Sequence, residues 1–366
     1  MKIKAAVLYK VKTPLVVEEV DLDDPKPGEV LVKVGAAGIC RSDWHFMVGE
    51  APMPTPVILG HEGAGVVERT GKGVTRVKPG DRVILSFVSP CGQCPFCATG
   101  RPNLCDVHVA TFGNMMDGTK RHHKNGKDIV PSSKLACFAS HSVVPEVACV
   151  PCPNDLPLGI AAVIGCCVTT GVGAAINTAR VEPGSTVAVV GCGGVGLNVI
   201  MGARLSNALK IIAVDINDAS LEFATRFGAT HTVNPKHGDA VAMVKKLTGG
   251  LGADYTFEVY GGAETCELAF NMARKGGTAT IVGIAPTGDM PHIDATAIVR
   301  QEKTMKGSYY GSARMYTDMP RMVELYRSGK LDLDALITRH YKLDDINKAY
   351  QDLNNGAVGR GIIDQF

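Results

Sequence analysis

Four cysteines lie within fifteen residues of this chain, and they constrain its fold more than any other feature. Cys91, Cys94 and Cys97 follow one another at intervals of three residues, and Cys105 comes eight residues later. Four thiolates at this spacing can surround one tetrahedral zinc ion, with each sulfur about 2.3 Å from the metal. Such a cage leaves no coordination position for a substrate, so the spacing predicts a structural zinc site.

Other interpretations of the four cysteines stay open. Disulfide bonds would need an oxidising compartment. An iron–sulfur cluster also uses four thiolates, although here the last gap is longer than in the bacterial ferredoxin pattern and no proline follows Cys105. Chance alone is a poor explanation for four cysteines in so short a segment, and we therefore favour zinc.

Length and composition indicate a two-domain α/β protein. The chain has 366 residues, more than one ordinary hydrophobic core holds, and 42 of them are glycine. A net charge of +2 without a long basic run argues against a nucleic-acid partner. The N-terminal segment lacks the apolar core and cleavage site of a signal peptide. Together with twelve cysteines, this predicts reduced thiols and a cytoplasmic location.

A charge-free stretch, 156–179, is long enough to span a bilayer. It contains one proline, four glycines and several polar side chains, whereas a transmembrane helix is more uniformly apolar. We therefore expect a buried helix and turn at a domain junction, and no membrane partner.

The character of the sequence changes near residue 183. Before residue 155, short apolar runs such as 29–34 and 81–85 lie between turn signals and predict an antiparallel, barrel-like domain. Residues 113–135 are polar and predict a long loop. After Pro183-Gly184, strands alternate with helix-like segments, which is typical of a parallel sheet. We predict one domain from residues 1–167 and 310–366, and a second from residues 168–309.

A glycine-rich turn joins a strand at 185–190 to a helix-like stretch at 197–205, and a second strand ends at Asp215. The turn consists of Gly191, Cys192, Gly193, Gly194, Val195 and Gly196. In this context the G-x-G-x-x-G pattern predicts a dinucleotide-binding Rossmann domain, with a glycine-rich turn of no binding function as the alternative. Gly191 allows the tight turn, Gly193 lets the backbone approach a pyrophosphate, and Gly196 lets helix and strand pack closely.

The acidic residue after the second strand indicates which cofactor binds. Asp215 would accept hydrogen bonds from ribose hydroxyls and would repel a 2′-phosphate, which favours NAD over NADP. Further strands are predicted at 254–259 and 278–283. The second should end near the nicotinamide, which makes Val282 and Ile284 candidate cofactor contacts.

A second, open zinc site would need about three protein ligands and one exchangeable position. Cys40, His61 and Cys166 are candidates, but they lie far apart in the sequence, so spacing cannot join them. Taken singly, a cysteine is most often a small core residue, and a histidine is usually only hydrogen-bonded.

Several motifs occur together in the order seen in zinc-dependent medium-chain alcohol dehydrogenases, and the chain resembles that family over essentially its whole length. They are G-H-E-G-A-G at 60–65, the four-cysteine segment, the charge-free stretch, the dinucleotide fingerprint, and the tail segments 307–311 and 359–363. The resemblance implies an α/β fold with a GroES-like β-rich catalytic domain and a Rossmann domain with a doubly wound parallel sheet.

The resemblance implies a second metal site. Cys40, His61 and Cys166 match the ligands of a catalytic zinc, which gives two zinc ions per chain. Glu62 matches a carboxylate that approaches the metal when it exchanges ligands. Asp43 matches an acid that orients His61 through its other ring nitrogen.

Further matches imply roles in proton transfer and cofactor binding. Ser42 resembles the hydroxyl that hydrogen-bonds the substrate oxygen, and His45 the outer end of a proton relay. Arg41 and Arg360 resemble arginines that bind the pyrophosphate. Thr170 resembles a residue that packs near the nicotinamide.

The implied activity is the reversible oxidation of a small-molecule alcohol to an aldehyde or ketone, with hydride transfer to NAD. Alignment to the family pattern suggests Trp44, Phe87, Phe138 and Tyr309 as pocket residues, although each can equally belong to the core. If they line the cleft, the pocket suits an aromatic, allylic or medium-chain primary alcohol.

Some points depart from the family or stay open. Ser220 stands where many members have a lysine, which would weaken binding of the adenosine ribose. The segment 113–135 resembles an insertion of the dimeric branch, and we therefore expect a homodimer. Cys149 and Cys152 form a second C-x2-C, which we interpret as structural. The alternative functions are a polyol or secondary-alcohol dehydrogenase, an enzyme with non-exchanging NAD, and a zinc-stabilised NAD-binding sensor without turnover.

Overall fold

The computed structural model describes residues Met1–Phe366, which form two compact units. The first unit contains Met1–Cys166, Arg314–Ser328 and Leu333–Phe366. The second contains Cys167–Ala313 and Gly329–Asp332.

The chain forms eighteen strands. They are β1 (Lys2–Leu8), β2 (Val16–Leu22), β3 (Glu29–Gly38), β4 (Val57–Ile58), β5 (Gly63–Thr70), β6 (Arg82–Leu85), β7 (His122–Lys124), β8 (Lys127–Pro131), β9 (His141–Pro145), β10 (Cys149–Cys152), β11 (Thr186–Val190), β12 (Lys210–Val214), β13 (His231–Val233), β14 (Ala253–Glu258), β15 (Ala273–Ile281), β16 (Thr304–Gly307), β17 (Ile337–Lys342) and β18 (Arg360–Gln365).

Thirteen α-helical segments accompany them. They are α1 (Arg41–Val48), α2 (Pro95–Ala98), α3 (Asp106–Ala110), α4 (Leu158–Val163), α5 (Thr169–Gly173), α6 (Gly194–Leu205), α7 (Asp218–Phe227), α8 (Ala240–Leu247), α9 (Ala263–Met272), α10 (Ala295–Gln301), α11 (Met315–Arg327), α12 (Leu333–Leu336) and α13 (Ile346–Asn354). Two further segments, Ile164–Val168 and Ala174–Ala179, are π-helical.

The first unit is β-rich, as the alternation of short strands and turns predicts. Strands β1, β2, β7, β8 and β4 form a closed barrel, and β10, β6, β5, β3, β18 and β17 form a sheet to which β9 adds by pairing with β3. Most pairs are antiparallel, while β4 with β8 and β17 with β18 are parallel. Fully buried aliphatic side chains such as Val7, Leu31 and Ile58 fill its core.

The predicted loop at 113–135 is wrong for its second half. Strands β7 and β8 form a hairpin there, with Lys124 paired with Lys127, and the hairpin closes the barrel against β2 and β4. The two residues between them, Asn125 and Gly126, have φ of 51° and 74°. Asn-Gly with two positive φ angles is the preferred two-residue hairpin turn, so the sequence contained this signal.

A buried arginine fixes the start of this hairpin. Arg121 is fully buried, and its guanidinium donates to both carboxylate oxygens of Glu29 at 2.8 and 2.6 Å and to Asp117 at 2.9 Å. Two acidic partners compensate the buried charge, which explains how so polar a segment is ordered.

The second unit has the doubly wound architecture predicted from the sequence. Its six strands are all parallel, in the order β13-β12-β11-β14-β15-β16. The strand order reverses between β11 and β14, because β12 and β13 are added on one side of β11 and β14 to β16 on the other; ligands bind at such a point in sheets of this kind. The predicted strand 278–283 ends earlier, at Ile281, so Val282 and Ile284 follow the strand.

The charge-free stretch forms one helix, Leu158–Ala179, of 22 residues. It is long and apolar enough to cross a membrane by length and composition alone, but 83% of its most apolar window is buried inside the protein. This burial matches the predicted buried helix, although the helix continues to Ala179 without the expected turn.

Candidate active site and metal centres

Two thiols and one imidazole from distant parts of the sequence meet in the first unit. Cys40 immediately precedes α1, His61 lies between β4 and β5, and Cys166 lies in the π-helical turn Ile164–Val168. Their ligand atoms all lie within 4.8 Å of one another, and each residue is at most 5% exposed.

This donor set fits a zinc ion. In a tetrahedral site with zinc–sulfur bonds of about 2.3 Å and zinc–nitrogen bonds of about 2.0 Å, sulfur and nitrogen lie about 3.5 Å apart. Nε2 of His61 lies 3.4 Å from Sγ of Cys166. Three protein ligands leave one position for an exchangeable ligand, which is the composition of catalytic rather than structural zinc sites.

A buried carboxylate orients the imidazole. Oδ2 of Asp43 lies 3.0 Å from Nδ1 of His61, and Oδ1 accepts a hydrogen bond of 3.1 Å from the backbone N–H of Gly60. Asp43 is fully buried on α1. Because Nδ1 faces the carboxylate, Nε2 is the nitrogen available to a metal, as in carboxylate–histidine–zinc arrangements.

The electrostatics of the cluster favour a negatively charged sulfur. The hydrogen bond with Cys166 holds the pKa of Cys40 well below its usual range, with help from the charges of Arg360 and His61. The same hydrogen bond raises the pKa of Cys166. Burial lowers the pKa of His61, but Asp43 and Cys40 outweigh it and raise this pKa well above the ordinary value. Thiolates are the metal-binding form of cysteine, so the site is prepared for a cation.

Glu62 lies next to this cluster and pairs with Arg360. Nη2 of Arg360 contacts Oε2 of Glu62, and Nε lies 3.4 Å from Oε1. Both residues are buried, and burial raises the pKa of Glu62 although Arg360 opposes the shift. A side chain at Gly38 would collide with Glu62, so the glycine makes room for the carboxylate.

Helix α1 carries the predicted proton-transfer residues. Oγ of Ser42 lies 3.7 Å from Sγ of Cys40. Nδ1 of His45 lies 2.5 Å from Oε2 of Glu50, a partner that the sequence analysis missed. The signal was Gly49, whose φ of 79° ends the helix and turns the chain back, so that Glu50 and Ala51 donate backbone hydrogen bonds to the carbonyl of His45.

The four cysteines of the 91–105 segment also converge. Their sulfurs lie within 4.8 Å of one another, which fits four ligands of a single ion; the irons of a four-iron cluster hold their thiolates further apart. Backbone N–H groups of Gln93 and Cys94 donate to Sγ of Cys91, and that of Cys91 donates to Cys105 at 3.2 Å.

These N–H groups favour thiolates. Donation from Gln93 and Cys94 lowers the pKa of Cys91, and donation from Cys97 lowers that of Cys94 to about 6. Cys149 and Cys152 join neither cluster; they lie in β10 as free thiols, three residues apart and therefore on opposite faces of the strand.

The second unit contains the dinucleotide fingerprint at the carboxyl end of β11. Gly191 has a φ of 95°, and a side chain at Gly196 would collide with its carbonyl oxygen, so both positions require glycine. Gly193 precedes α6 and has open space around its Cα, and Gly194 and Val195 begin the helix. This arrangement offers helix N-terminal N–H groups to a phosphate.

Asp215 lies at the end of β12, beside this turn. Its carboxylate accepts hydrogen bonds from the backbone N–H of Cys192 at 2.8 Å and of Asn217 at 2.9 Å. Thr170 lies in α5, whose backbone packs against the turn at Gly311. Val282 donates its N–H to the carbonyl of Glu258, and Ile284 is 52% exposed.

The remaining predicted residues have different surroundings. Trp44 stacks on Tyr350 with a centroid distance of 6.0 Å, and Phe87 meets the ring of His61 edge-on at 5.4 Å. Phe138 is fully buried in the barrel core, and Tyr309, in the second unit, is 40% exposed. Arg41 donates to Asn354 at 3.1 Å. Of the four aromatic candidates, Phe87 contacts a residue of the three-ligand cluster, His61.

Known proteins resemble this chain in the sequences of both units. Residues 26–154 match the family described as alcohol dehydrogenase GroES-like domain, and residues 194–328 match the one described as zinc-binding dehydrogenase. The NDMA-dependent alcohol dehydrogenase of Amycolatopsis methanolica is 41% identical over 367 residues, covering 99% of each chain. The class-3 alcohol dehydrogenase of Cereibacter sphaeroides is 41% identical over 375 residues, covering 99% of this chain and 100% of that protein.

A solved structure gives the same result. The benzyl alcohol dehydrogenase of Acinetobacter calcoaceticus matches with a TM-score of 0.94 and 32% identity, and the match covers 100% of both chains. The chain therefore belongs to the zinc-dependent medium-chain alcohol dehydrogenase family. Its fold class, a GroES-like domain with a Rossmann domain, is confirmed, and it is a zinc-binding oxidoreductase of that family.

Proposed function

We propose that this protein oxidises a primary alcohol, aromatic, allylic or medium-chain, to the aldehyde and transfers the hydride to NAD, reversibly. The observation that carries the proposal is the convergence of Cys40, His61 and Cys166 in a buried site. A purely structural site would add a fourth side chain, as the four-cysteine segment does. We accordingly propose two zinc ions per chain with different roles.

The residues around the three ligands support this proposal. Zinc in the site would polarise the alcohol oxygen, and NAD would take up the hydride. Asp43 fixes the ring of His61, so that Nε2 stays directed at the metal position. Arg360 balances the charge of Glu62, which keeps a second carboxylate beside the site at a reduced electrostatic cost.

The substrate proton leaves, in this proposal, through Ser42 and His45. The two residues are three positions apart on α1, so their side chains lie on one face of the helix. The side chain of His45 is 12% exposed and can exchange a proton with solvent. Since a carboxylate only accepts hydrogen bonds, Glu50 holds the proton on Nδ1 and leaves Nε2 to receive the next one.

NAD is the proposed cofactor because of Asp215. Its carboxylate is fixed at the glycine-rich turn by two backbone N–H groups. Ribose hydroxyls can donate to it, whereas a 2′-phosphate would bring a second negative charge close to it. Arg41, Arg360, Thr170, Val282 and Ile284 remain proposed cofactor contacts.

An aromatic side chain beside the three ligands supports the proposed substrate class. Phe87 lies edge-on to His61, which gives the site an aromatic neighbour. The related benzyl alcohol dehydrogenase is named for an aromatic primary alcohol. An aromatic wall stabilises an aromatic substrate by roughly 0.5–1.5 kcal/mol beyond the area it buries.

The relative that is NDMA-dependent supports a second candidate. In this candidate the same site acts on the same alcohols, but NAD stays bound and is reoxidised in place by a second substrate. Denaturing the purified protein and measuring the released NAD distinguishes the two. One equivalent of NAD per chain, with turnover only when NDMA is added, supports the second candidate.

A substrate screen with metal analysis on the same sample tests the main proposal. NAD reduction is measured over primary, secondary, aromatic and polyol substrates, and we expect the highest kcat/KM with benzyl-type or medium-chain primary alcohols and two zinc per chain. Strong activity on sorbitol and none on benzyl alcohol would instead identify a polyol dehydrogenase. One zinc per chain without turnover on any alcohol would identify a sensor.

We further propose a homodimer in the cytoplasm. Strand β16 is at the edge of its sheet, and apolar residues in it and in the preceding helix α10 are exposed, including Met305 at 37% and Val299 at 76%. An open strand edge with apolar neighbours suits a second copy of the chain. None of the twelve cysteines forms a disulfide, which supports a reducing compartment.

A further inference from the structure

A lysine lies fully inside the first unit without an acidic partner. Lys134 is 1% exposed, and its Nζ donates to the backbone carbonyls of His108 at 3.1 Å and Thr111 at 3.2 Å. It forms no ion pair with a carboxylate. A buried ammonium is unfavourable unless an anion or several acceptors compensate it, so the position of this charge needs a cause.

The cause is indicated by the segment that Lys134 binds. The two carbonyls lie at the end of α3, and Cys105, the last of the four clustered cysteines, immediately precedes this helix. With a rise of 1.5 Å per residue, the carbonyl of His108 lies about 5 Å along the helix from Cys105. Lys134 therefore binds the short helix that positions a metal ligand.

The side chain of His108 links the same helix to the start of the four-cysteine segment. Nδ1 of His108 accepts a hydrogen bond of 3.2 Å from the backbone N–H of Ser89, two residues before Cys91. His108 thus joins both ends of the four-cysteine segment, and Lys134 attaches it to the segment after β8. Lys134 itself has a φ of 62°, as its neighbour Ser133 also has a positive φ, so this backbone conformation is held by its surroundings.

The charges point the same way. Burial lowers the pKa of Lys134 to about 8, and the thiolate of Cys105 works against this shift. Four thiolates around a divalent ion have a net charge of about −2, which stabilises a nearby ammonium.

We propose that Lys134 is the counter-charge of the four-cysteine metal site and the positioning residue that holds Cys105 on the metal. Without it, the metal site keeps its four ligands but loses the positive charge and the anchor of α3. Metal is then lost more easily, even though no ligand has changed.

Three variants test this. K134M removes charge and hydrogen bonds. K134Q removes the charge but keeps N–H donors for the two carbonyls. K303M is the matched control, because Lys303 is also buried, 9% exposed, and donates to a carbonyl, that of Phe270 at 3.0 Å, but lies in the second unit.

Zinc release is followed with a colorimetric chelator, and the sulfur-to-cobalt charge-transfer band is recorded after cobalt substitution. The zinc at the four cysteines is the one we expect to leave the wild type more slowly. It should leave K134M about 10- to 100-fold faster than it leaves the wild type, in the range seen for partners of metal ligands. K134Q should also release it faster and should shift the cobalt band, because the charge near the thiolates is gone. K303M should release zinc like the wild type.

Wild-type release rates and an unshifted cobalt band in K134Q would overturn the proposal. An equal acceleration in K303M would also overturn it, because the effect would then follow from lost stability in general. A wild-type protein that holds no metal at the four cysteines would overturn the proposal as well, because Lys134 would then have no metal site to stabilise. None of these outcomes depends on which alcohol the protein oxidises.

Discussion

The carboxylate of Glu50 lies 2.5 Å from Nδ1 of His45, so the histidine proposed to carry the substrate proton is held by an acid five residues further along the chain. The pair is local, because Gly49 ends α1 and reverses the chain direction. An imidazole fixed in one tautomer is a better proton carrier than a freely rotating ring.

The first prediction concerns this pair. In E50Q the amide oxygen or nitrogen can face Nδ1, so the tautomer is no longer fixed, and we expect kcat to fall about 10- to 100-fold with a smaller change in KM. The melting temperature is measured on the same variants, because a loss of stability alone would lower it. E68Q is the control, since Glu68 pairs with His141 at 3.5 Å away from the site. If H45Q lowers kcat and E50Q does not, Glu50 has no part in proton transfer; if neither does, the relay itself is wrong.

The second prediction concerns the three-ligand metal site. C40A should remove one zinc per chain and lower activity to background, while NAD still binds, because the glycine-rich turn lies in the other unit. C137A is the matched control: Cys137 is fully buried but belongs to neither cysteine cluster. Zinc is counted by mass spectrometry and NAD binding by calorimetry. Two zinc ions and normal turnover in C40A would contradict the assignment.

The third prediction concerns cofactor choice. D215S removes the acceptor for the ribose hydroxyls, and losing hydrogen bonds to a charged group weakens NAD binding by about 10- to 100-fold. NADP should bind better than to the wild type, since a negative charge is gone. D218N is a control three residues further on, at the start of α7, where Asp218 accepts a hydrogen bond from Asn234. The ratio of kcat/KM for the two cofactors is the measurement, and an unchanged ratio would count against the role of Asp215.

The fourth prediction concerns assembly. V299K places a charge among the exposed apolar residues near β16, so the proposed dimer should dissociate and light scattering should give the mass of one chain. L251K is the control. Leu251 is also an exposed apolar residue, at 70%, but it lies before the start of β14 and not in β16 or α10. A wild-type chain that is already monomeric, or a V299K variant that stays dimeric, would show that this surface is not the interface.

The fifth prediction concerns acid stability. His122 is fully buried, and burial lowers its pKa from 6.5 to about 4, with His123 and Arg121 adding to the shift and Asp23 opposing it. Between these pH values the unfolded chain binds a proton that the folded chain does not, so stability falls as the pH drops through this window, by about 3 kcal/mol in all. Both ring nitrogens lack a hydrogen-bond partner, so H122L removes this loss without breaking a hydrogen bond. Its melting temperature should fall less than that of the wild type between pH 7 and pH 4.5, whereas parallel curves would contradict the prediction.

Patterns confined to short segments of the sequence predicted the four-cysteine metal site and the fold of the second unit. The four cysteines and the strand–turn–helix around Gly191 are complete within short segments, so their spacing alone indicated a metal cage and a Rossmann unit. The hairpin at Asn125-Gly126 was equally local, and it was missed because its flanking strands are polar and short.

The rest depends on contacts that spacing does not encode. Cys40 and Cys166 are more than a hundred residues apart in the sequence and are brought together only by the fold. Their spacing therefore could not identify them as ligands of one metal, and only the resemblance to the family did so. Lys134 has no periodic pattern around it, and nothing in the sequence distinguishes it from a surface lysine. Whether a charged side chain is buried depends on the tertiary structure, so a buried lysine such as this one cannot be identified from the sequence.

The widened helical turn at Ile164–Val168 has a consequence for how such a site arises. A π-helical turn contains one more residue than an α-helical turn, and Cys166 lies inside it. Deleting a single residue there would restore regular α-helix and change the direction of the Cys166 side chain relative to its two partners. One inserted residue thus separates a plain structural helix from a metal ligand, which makes the turn a natural place for this function to be gained or lost in evolution.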